Sequence, residues 1–143
     1  MTIFWKIAHN LYKWGLIPLV RIFEFINYWI CANAISAKAE IESGTQFWHR
    51  GLGCVVHFDA KIGKNCKILP NVMIGSKFAN GIPDAEPPVI GDNVFIGTGA
   101  VVIGRIHIGN NVIIGANSVV TRDVPENSIA VGSPAKIGPR KDI

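Results

Sequence analysis

The sequence is poor in charged residues, which make up 17% of its 143 positions. Apolar residues make up 49%, so the composition excludes a disordered chain and predicts one domain with a continuous core. Cysteine is also scarce, since only Cys31, Cys54 and Cys66 are present and no two of them form a CxxC pair. This odd, scattered set favours a reducing compartment with plain buried thiols over a metal or redox role. No metal cofactor is expected.

A long uncharged apolar run is absent as well. Lys6, His9 and Lys13 interrupt the first apolar stretch, which argues against a signal peptide, and Arg21 and Glu24 interrupt the second, which argues against a spanning helix. The net charge of +4 suits an anionic ligand or a membrane surface without deciding between them. We therefore expect a cytoplasmic protein, with a peripheral position at the inner face of the membrane left open, and no nucleic-acid partner.

Glycine, in contrast, is abundant, with 15 residues, and it recurs within a six-residue repeat. In the segment IGNNVIIGANSVV (108–120), an apolar β-branched residue returns every six positions, which neither a strand nor a helix period explains. The register breaks at 76–89 and slips by three residues near Gly53. The anchors of the repeat are Ile41, Phe47, Val56, Ile62, Ile68, Ile74, Ile90, Ile96, Val102, Ile108, Ile114 and Val120.

Six residues provide one short strand and one corner, so three repeats close one triangular turn of chain. Each anchor and the residue four positions later are expected to point inward. Asparagine recurs at the corners, where it tolerates left-handed backbone angles: Asn65, Asn71, Asn93, Asn111 and Asn117. The sequence therefore predicts an all-β solenoid wound around a triangular prism.

The first 33 residues lack the repeat and predict a short α-helical segment. TIFWKIAHNLYKWG and PLVRIFEFINYWI carry apolar residues at helical spacing, and Gly15 and Pro18 suit a helix end and a helix start. These helices either cap the end of the prism or act as an interfacial anchor, with Trp5, Trp14 and Trp29 at lipid headgroups. The predicted organisation is amphipathic helices over 1–33, the solenoid over 34–138 with an excursion loop at 76–89, and a tail over 139–143.

The segment IGDNVFIGTGAVVIGRIHIGNNVIIGANSVVTRDVPENSIAVGSPAKI resembles the hexapeptide-repeat acyltransferases. The branch it resembles most is that of the serine acetyltransferase-like O-acetyltransferases, which includes enzymes of bacterial surface-polysaccharide pathways. This resemblance implies a left-handed parallel β-helix, acetyl-CoA as acyl donor, and a homotrimer with three sites in the grooves between subunits. A left-handed coil departs from the usual crossover rule, so its hand rests on the resemblance.

The resemblance also implies the site residues. His49, in FWHRGLG, matches the DHATG-type segment that holds the family's catalytic histidine, and it is the candidate general base. His57 is a second candidate. The aspartate that partners the family's histidine has no counterpart here, so one of three other acids, Glu86, Asp84 or Asp59, is expected to orient His49. Asp84 and Glu86 are also expected to contact the acceptor. The residues expected to bind CoA are Ser76, Lys77, Gly97, Thr98, Ala116, Ser133 and Lys136.

Three departures from serine acetyltransferases bear on the acceptor. Ala34 stands where those enzymes have an aspartate, Pro87 stands where they have a histidine, and their large helical domain is replaced by about thirty residues. We therefore expect the hydroxyl of a sugar in bacterial surface-polysaccharide biosynthesis to be the acceptor. The alternatives are a serine O-acetyltransferase and a non-catalytic β-helix scaffold; a γ-carbonic-anhydrase-like enzyme would need more histidines at zinc-binding spacing.

Overall fold

The computed structural model describes residues 3–79, 82–83 and 86–140. The described chain begins with helices α1 (Ile3–Lys13) and α2 (Ile17–Cys31). Gly15, with a φ of 73°, separates them, and Pro18 lies in the first turn of α2, as its fixed φ allows. The expected helical segment is therefore present.

After α2 the chain is a series of short strands joined by turns. The strands are β1 (Ala34–Ile35), β2 (Glu40–Ile41), β3 (Gln46–Phe47), β4 (Val55–Val56), β5 (Lys61–Ile62), β6 (Lys67–Ile68), β7 (Met73–Gly75), β8 (Phe78–Ala79), β9 (Ile82–Pro83), β10 (Val89–Ile90), β11 (Phe95–Ile96), β12 (Val101–Ile103), β13 (His107–Ile108), β14 (Ile113–Ile114), β15 (Val119–Val120), β16 (Ser128–Val131) and β17 (Lys136–Pro139).

The strands of the coil form three sheets, the three faces of a prism. Sheet A has the order β1-β4-β7-β12-β15, sheet B the order β13-β10-β5-β2, and sheet C the order β17-β16-β14-β11-β6-β3. The strands pair in parallel, apart from the antiparallel pair β16–β17 that ends sheet C. Strands β8 and β9 pair with each other outside the three faces, in the excursion loop.

The register of the strands confirms the six-residue count. Val55 pairs with Met73, three hexads later. Gln46 pairs with Lys67, three hexads plus the three-residue slip, and Met73 pairs with Val101 only after the excursion. One turn of the coil is thus three hexads, and both interruptions loop outward without disturbing the pairing above and below them.

The interior of the prism is filled by the positions that the repeat predicts. Every anchor except the half-buried Ile41 is buried, and so are ten residues that lie four positions after an anchor: Thr45, Ala60, Cys66, Val72, Val94, Ala100, Ile106, Val112, Ser118 and Val124. The five corner asparagines have positive φ angles, as expected. The three cysteines are buried free thiols, and burial raises the pKa of Cys54 and Cys66.

The helices pack against the first coil through polar contacts as well as apolar ones. Trp5 Nε1 donates to Ser36 O at 3.0 Å, and His9 Nδ1 lies 2.8 Å from Ala37 O. The Ala37 N–H donates to Glu24 Oε1 at 2.7 Å. These contacts cover the backbone of the chain just after β1, where an end coil would otherwise expose its polar groups.

Helix α2 packs by a different face from the one that its apolar pattern suggests. Its buried residues are Val20, Asn27 and Cys31. Most of the apolar stripe, including Ile22 and Trp29, faces solvent instead, with Trp29 71% exposed, whereas Phe23 and Ile26 are half-buried. None of the helices in the described part of the chain has the length and hydropathy needed to cross a membrane.

Candidate functional site

His49 lies in a left-handed turn, Trp48–Gly51, that comes directly after β3. His49, Arg50 and Gly51 have φ angles of 51°, 61° and 71°. A left-handed backbone costs about 1–2 kcal/mol for a residue with a side chain, so two such residues in a row must be held by their surroundings. This turn is the bulge produced by the three-residue slip, and it presents the His49 side chain to solvent.

Backbone hydrogen bonds close the turn. The Leu52 N–H donates to His49 O at 3.2 Å, and the Cys54 N–H donates to Gly51 O at 2.9 Å. Gly51 is buried, and a Cβ there would lie 3.0 Å from the side chain of Ile35. Glycine at this position therefore serves both the positive φ and the close approach of the turn to the core.

The turn belongs to the edge of the prism between sheets C and A, which we call the C–A edge. Its corners, from the first coil to the last, are 48–54, 69–72, 97–100, 115–118 and 132–135. The edge carries His49, Thr98, Ala116 and Ser133. Because neighbouring strands lie about 4.8 Å apart, His49 is about 10 Å from Thr98 along the prism, and the other two are spaced at one-coil steps beyond it.

Backbones approach closely along this edge. A Cβ on Gly97 would lie 2.6 Å from Ala116 N, and Thr98 O accepts a hydrogen bond from the Asn117 N–H at 2.9 Å. Gly97 itself is buried, whereas Thr98 and Ala116 are exposed. The result is a narrow ledge of small residues on which an extended ligand can lie against the backbone.

A cleft of about 580 Å³ lies at the far end of sheet A. Ser133 and Lys136 line it, as do Thr121 and Arg122, which sequence reasoning missed. Arg122 Nη2 donates to Ala135 O at 3.4 Å. The signal for Arg122 was weak, because its contact with the 132–137 segment depends on how the chain folds back after β16. Two basic side chains in one cleft can pair with phosphate groups.

Ser76 and Lys77 lie on the next edge of the prism, between sheets A and B. Lys77 nevertheless reaches towards the cleft, since its Nζ lies 3.5 Å from Thr121 O. Its aliphatic chain fills the space beside Gly104, where a Cβ would lie 2.9 Å from Lys77 Cε. The candidate CoA residues therefore fall on two edges of one face, and Lys77 is the one that links these edges near the cleft.

His57 is also on the A–B edge and so does not share the edge of His49. Its Nδ1 accepts a hydrogen bond from the Asp59 N–H at 3.1 Å, and its ring stacks on Phe58 at 4.1 Å. A neutral Nδ1 acceptor leaves the proton on Nε2. This local pairing explains the orientation of His57 without a ligand.

The acids proposed to orient His49 have other partners. Asp59 Oδ1 lies 2.6 Å from Lys38 Nζ, and Glu86 Oε2 lies 3.7 Å from Arg105 Nε. Asp84 lies outside the described residues. No group of three His, Cys, Asp or Glu side chains able to hold a metal occurs within the described ranges.

The outward face of sheet A is apolar along its whole length. It presents Ala34, Val55, Met73, Val101 and Val119, which are exposed or half-buried. The outward face of sheet B carries Glu40, Lys61 and His107 beside Val89. Sheet A is therefore the face of the prism most suited to burial against another surface.

Comparison with known proteins agrees with the repeat. Residues 87–122 match the family described as bacterial transferase hexapeptide (six repeats). Serine acetyltransferase of Helicobacter pylori strain 26695 is 34% identical over 132 residues, covering 92% of this chain and 75% of that protein. The chain belongs to the hexapeptide-repeat acyltransferase family. Its fold is accordingly the left-handed parallel β-helix that the resemblance implied.

Solved structures superpose closely on the chain. Neisseria gonorrhoeae serine acetyltransferase in complex with serine has a TM-score of 0.84 at 34% identity, covering 94% of this chain and 54% of that one. A serine acetyltransferase complex with CoA has a TM-score of 0.82 at 31% identity, again with 94% and 54% coverage. The chain spans about half the length of several of the curated relatives it matches, such as 53% of that from Synechococcus elongatus.

The expected polysaccharide acceptor is wrong. Relatives at 33–38% identity over most of the chain are named serine acetyltransferases, and so are the structural neighbours. The argument from a missing helical domain fails because the relatives' additional length lies outside the shared part, where it says nothing about the acceptor. The arguments from Ala34 and Pro87 fail because a linear position does not decide which groups surround a substrate in the folded protein.

Proposed function

We propose that this chain transfers the acetyl group of acetyl-CoA to the hydroxyl of serine. The observation that carries the proposal is the C–A edge, on which His49 and the ledge formed by Thr98, Ala116 and Ser133 lie in one line. A base and an extended binding surface in line are what acyl transfer from a long thioester substrate needs. The names of the curated relatives support serine as the acceptor.

Acetyl-CoA is a substrate here, and the residues present suit it. The ledge beside Gly97, where a Cβ would meet backbone, admits the narrow pantetheine arm. Lys136 and Arg122 in the cleft supply positive charge for the nucleotide phosphates. We assign Ser133 to the adenine end, and Ser76 and Lys77 to the groove wall on the neighbouring edge.

His49 acts as the general base in the proposed reaction. Its imidazole takes the proton of the serine hydroxyl as the oxygen attacks the thioester carbonyl carbon. The tetrahedral intermediate collapses, the carbon–sulfur bond breaks, and the imidazolium returns its proton to the departing CoA sulfur. The products are O-acetylserine and free CoA, and His49 ends in its starting protonation state.

Other polar groups near the proposed groove have secondary roles in this scheme. Glu86 is exposed and carries a carboxylate that can pair with the ammonium group of serine. Asp84, which lies outside the described residues, is a proposed second acceptor contact on the sequence alone. His57 is the alternative base if His49 proves dispensable, although its place on the A–B edge separates it from the ledge.

We further propose a homotrimer, with each site in the groove between two subunits. The candidate CoA residues lie on both edges of sheet A, so one prism does not close a site around them. The apolar outward face of sheet A is a surface that assembly can bury. Oligomers with closed rotational symmetry would then form equivalent sites from His49 of one copy and the wall of its neighbour.

For the N-terminal segment, we propose the role of a cap on the coil, with chemistry confined to 34–138. The hydrogen bonds of Trp5, His9 and Glu24 to the first coil support this. The peripheral membrane contact considered from the aromatic residues finds no support among the relatives. We propose a cytoplasmic location.

The test is an assay of CoA thiol release with acetyl-CoA and serine. We expect kcat/KM of about 10⁴ M⁻¹s⁻¹ or more for the wild type. His49→Ala should lower kcat about 10²–10⁴-fold and leave the Kd for CoA unchanged, because the ledge and the cleft are untouched. His107→Ala is the matched control, since His107 is exposed on sheet B and should keep full turnover.

Two outcomes would contradict the proposal in different ways. Near-normal turnover in His49→Ala would show that another residue is the base, and His57→Ala would then be the next variant to measure. Absence of CoA binding by the wild-type protein in equilibrium titration would instead favour the scaffold alternative.

A further inference from the structure

Two buried amides, hydrogen-bonded in series, link helix α2 to the His49 turn. Asn27 Nδ2 donates to Asn33 Oδ1 at 2.6 Å, and Asn33 Nδ2 donates to Arg50 O at 2.8 Å. Asn27 is 2% exposed and Asn33 is 3% exposed. Burying a polar side chain costs free energy unless the side chain is hydrogen-bonded. The two hydrogen bonds offset this cost for Asn27 and Asn33, so both side chains depend on keeping them.

The direction of these hydrogen bonds is determined by the last acceptor. Arg50 O is a backbone carbonyl and can only accept, so the Asn33 amide must turn its nitrogen towards it. The Asn33 oxygen then faces α2, and Asn27 must present its nitrogen. The orientation of both amides, which is normally inferred from their surroundings, is set here by one carbonyl.

The carbonyl that receives this bond belongs to the residue after the candidate base. Arg50 has a φ of 61°, a conformation that glycine or asparagine adopts far more readily than arginine. Releasing Arg50 O would let the turn relax, and His49, which is joined to Arg50 by a peptide bond, would move with it. A base displaced by about 1 Å can lose catalytic efficiency about 10²-fold.

We propose that Asn33, held by Asn27, is a positioning residue that fixes the His49 turn for catalysis. The role of α2 is then to orient the base through two hydrogen bonds, in addition to covering the first coil. This proposal rests on the assignment of His49 as the base. Its structural part, the dependence of the turn on Asn33, does not need any activity to be measured.

The first experiment replaces Asn33 by leucine, which has a similar volume and no donor. The expected result is a kcat about 10–100-fold lower with KM for acetyl-CoA unchanged, because the ledge lies further along the prism. Thr45→Val is the matched control. Thr45 Oγ1 also makes a buried side-chain hydrogen bond, to Gly63 O at 2.6 Å, but on another edge of the coil. This control should lose stability and keep kcat.

A second variant acts from the helix. In Asn27→Asp the ionised carboxylate can only accept, so the Asn33 amide turns its nitrogen towards α2 and its oxygen towards Arg50 O. The variant is assayed at alkaline as well as neutral pH, because burial raises the pKa of a carboxyl and its neutral form would donate to Asn33 Oδ1 as Asn27 does. We expect the same loss of kcat as in Asn33→Leu, although the substituted residue is two hydrogen bonds away from Arg50. Unchanged kcat in either variant, or an equal loss in Thr45→Val, would overturn the proposal.

Amide hydrogen exchange separates this proposal from the proposed function. The Leu52 and Cys54 amides, which bond within the turn, should exchange faster in Asn33→Leu and Asn27→Asp and at the wild-type rate in Thr45→Val. If the wild type lacks acetyltransferase activity but shows this exchange pattern, the turn is positioned as proposed and the assigned reaction is wrong. Unchanged exchange in both asparagine variants would reject the positioning role itself.

Discussion

The coil and helix α2 place their periodic apolar residues differently. In the coil, the apolar anchors of the repeat are the buried residues, as with Ile96, which has no exposed surface. In α2, most of the apolar stripe faces solvent, as with Ile22 at 52% exposure, and the packed face includes the amide of Asn27. The same kind of pattern therefore marks the inside of one region and mostly the outside of the other.

The difference in which apolar residues are buried arises from what each region packs against. A hexad coil returns to itself every three repeats, so its anchors meet the anchors of neighbouring coils within one chain. A helix has no such internal closure and buries whichever face its neighbours offer. Here the neighbours are the Ala37 N–H after β1 and the Asn33 amide before it, so α2 meets them with Glu24 and Asn27 rather than with its stripe.

The largest expected effect is on the free energy of unfolding. Ile96→Ala should lower it by about 2–5 kcal/mol, because the methyl groups lost lie in a fully packed interior. Ile22→Ala, the matched change in α2, should alter it by no more than about 0.5 kcal/mol. Urea titration of both variants measures the difference. Equal losses would mean that the α2 stripe is buried in the protein as it exists in solution.

A smaller effect is expected on assembly. Met73→Glu places a charge on the outward face of sheet A and should weaken association at least about tenfold, which corresponds to about 1.4 kcal/mol. Val89→Glu makes the matched change on the outward face of sheet B and should leave association unchanged. Sedimentation velocity over a range of concentrations distinguishes them. Dissociation caused only by Val89→Glu would show that the interface lies on sheet B instead.

The smallest expected effect is the loss of stability when a residue with a positive φ is replaced, and it should be the same in the coil and in the helical segment. Asn71 at a corner and Gly15 between the helices have φ angles of 61° and 73°. Alanine at either position should cost about 1 kcal/mol, since the strain is local to the backbone. Asn71→Gly should be nearly neutral, and thermal unfolding of the three variants compares them. A loss in Asn71→Gly as large as that in Asn71→Ala would show that the asparagine side chain, and not its backbone angle, matters there.

The candidate site was only partly accessible from the sequence. The three-residue slip located the bulge at His49, because an interruption in a strict repeat must leave the coil. The small residues Gly97 and Ala116 indicated corners at which the backbones of neighbouring coils approach closely. Arg122 escaped notice because its place in the cleft depends on the chain reversing after β16. The role of Asn33 escaped notice because it depends on which face α2 turns to the coil.

By itself, the sequence determined the triangular coil, its register, its two interruptions and its interior, since a six-residue repeat specifies both the strands and what each strand meets. It also determined two helices, through the helical spacing of their apolar residues and through Gly15 and Pro18, which suit a helix end and a helix start. Only the tertiary structure decided that α2 packs through Asn27, that Asn33 holds Arg50 O, and that the two edges of sheet A carry different candidate residues. Those features depend on contacts between segments without a common repeat, and no local pattern encodes such contacts.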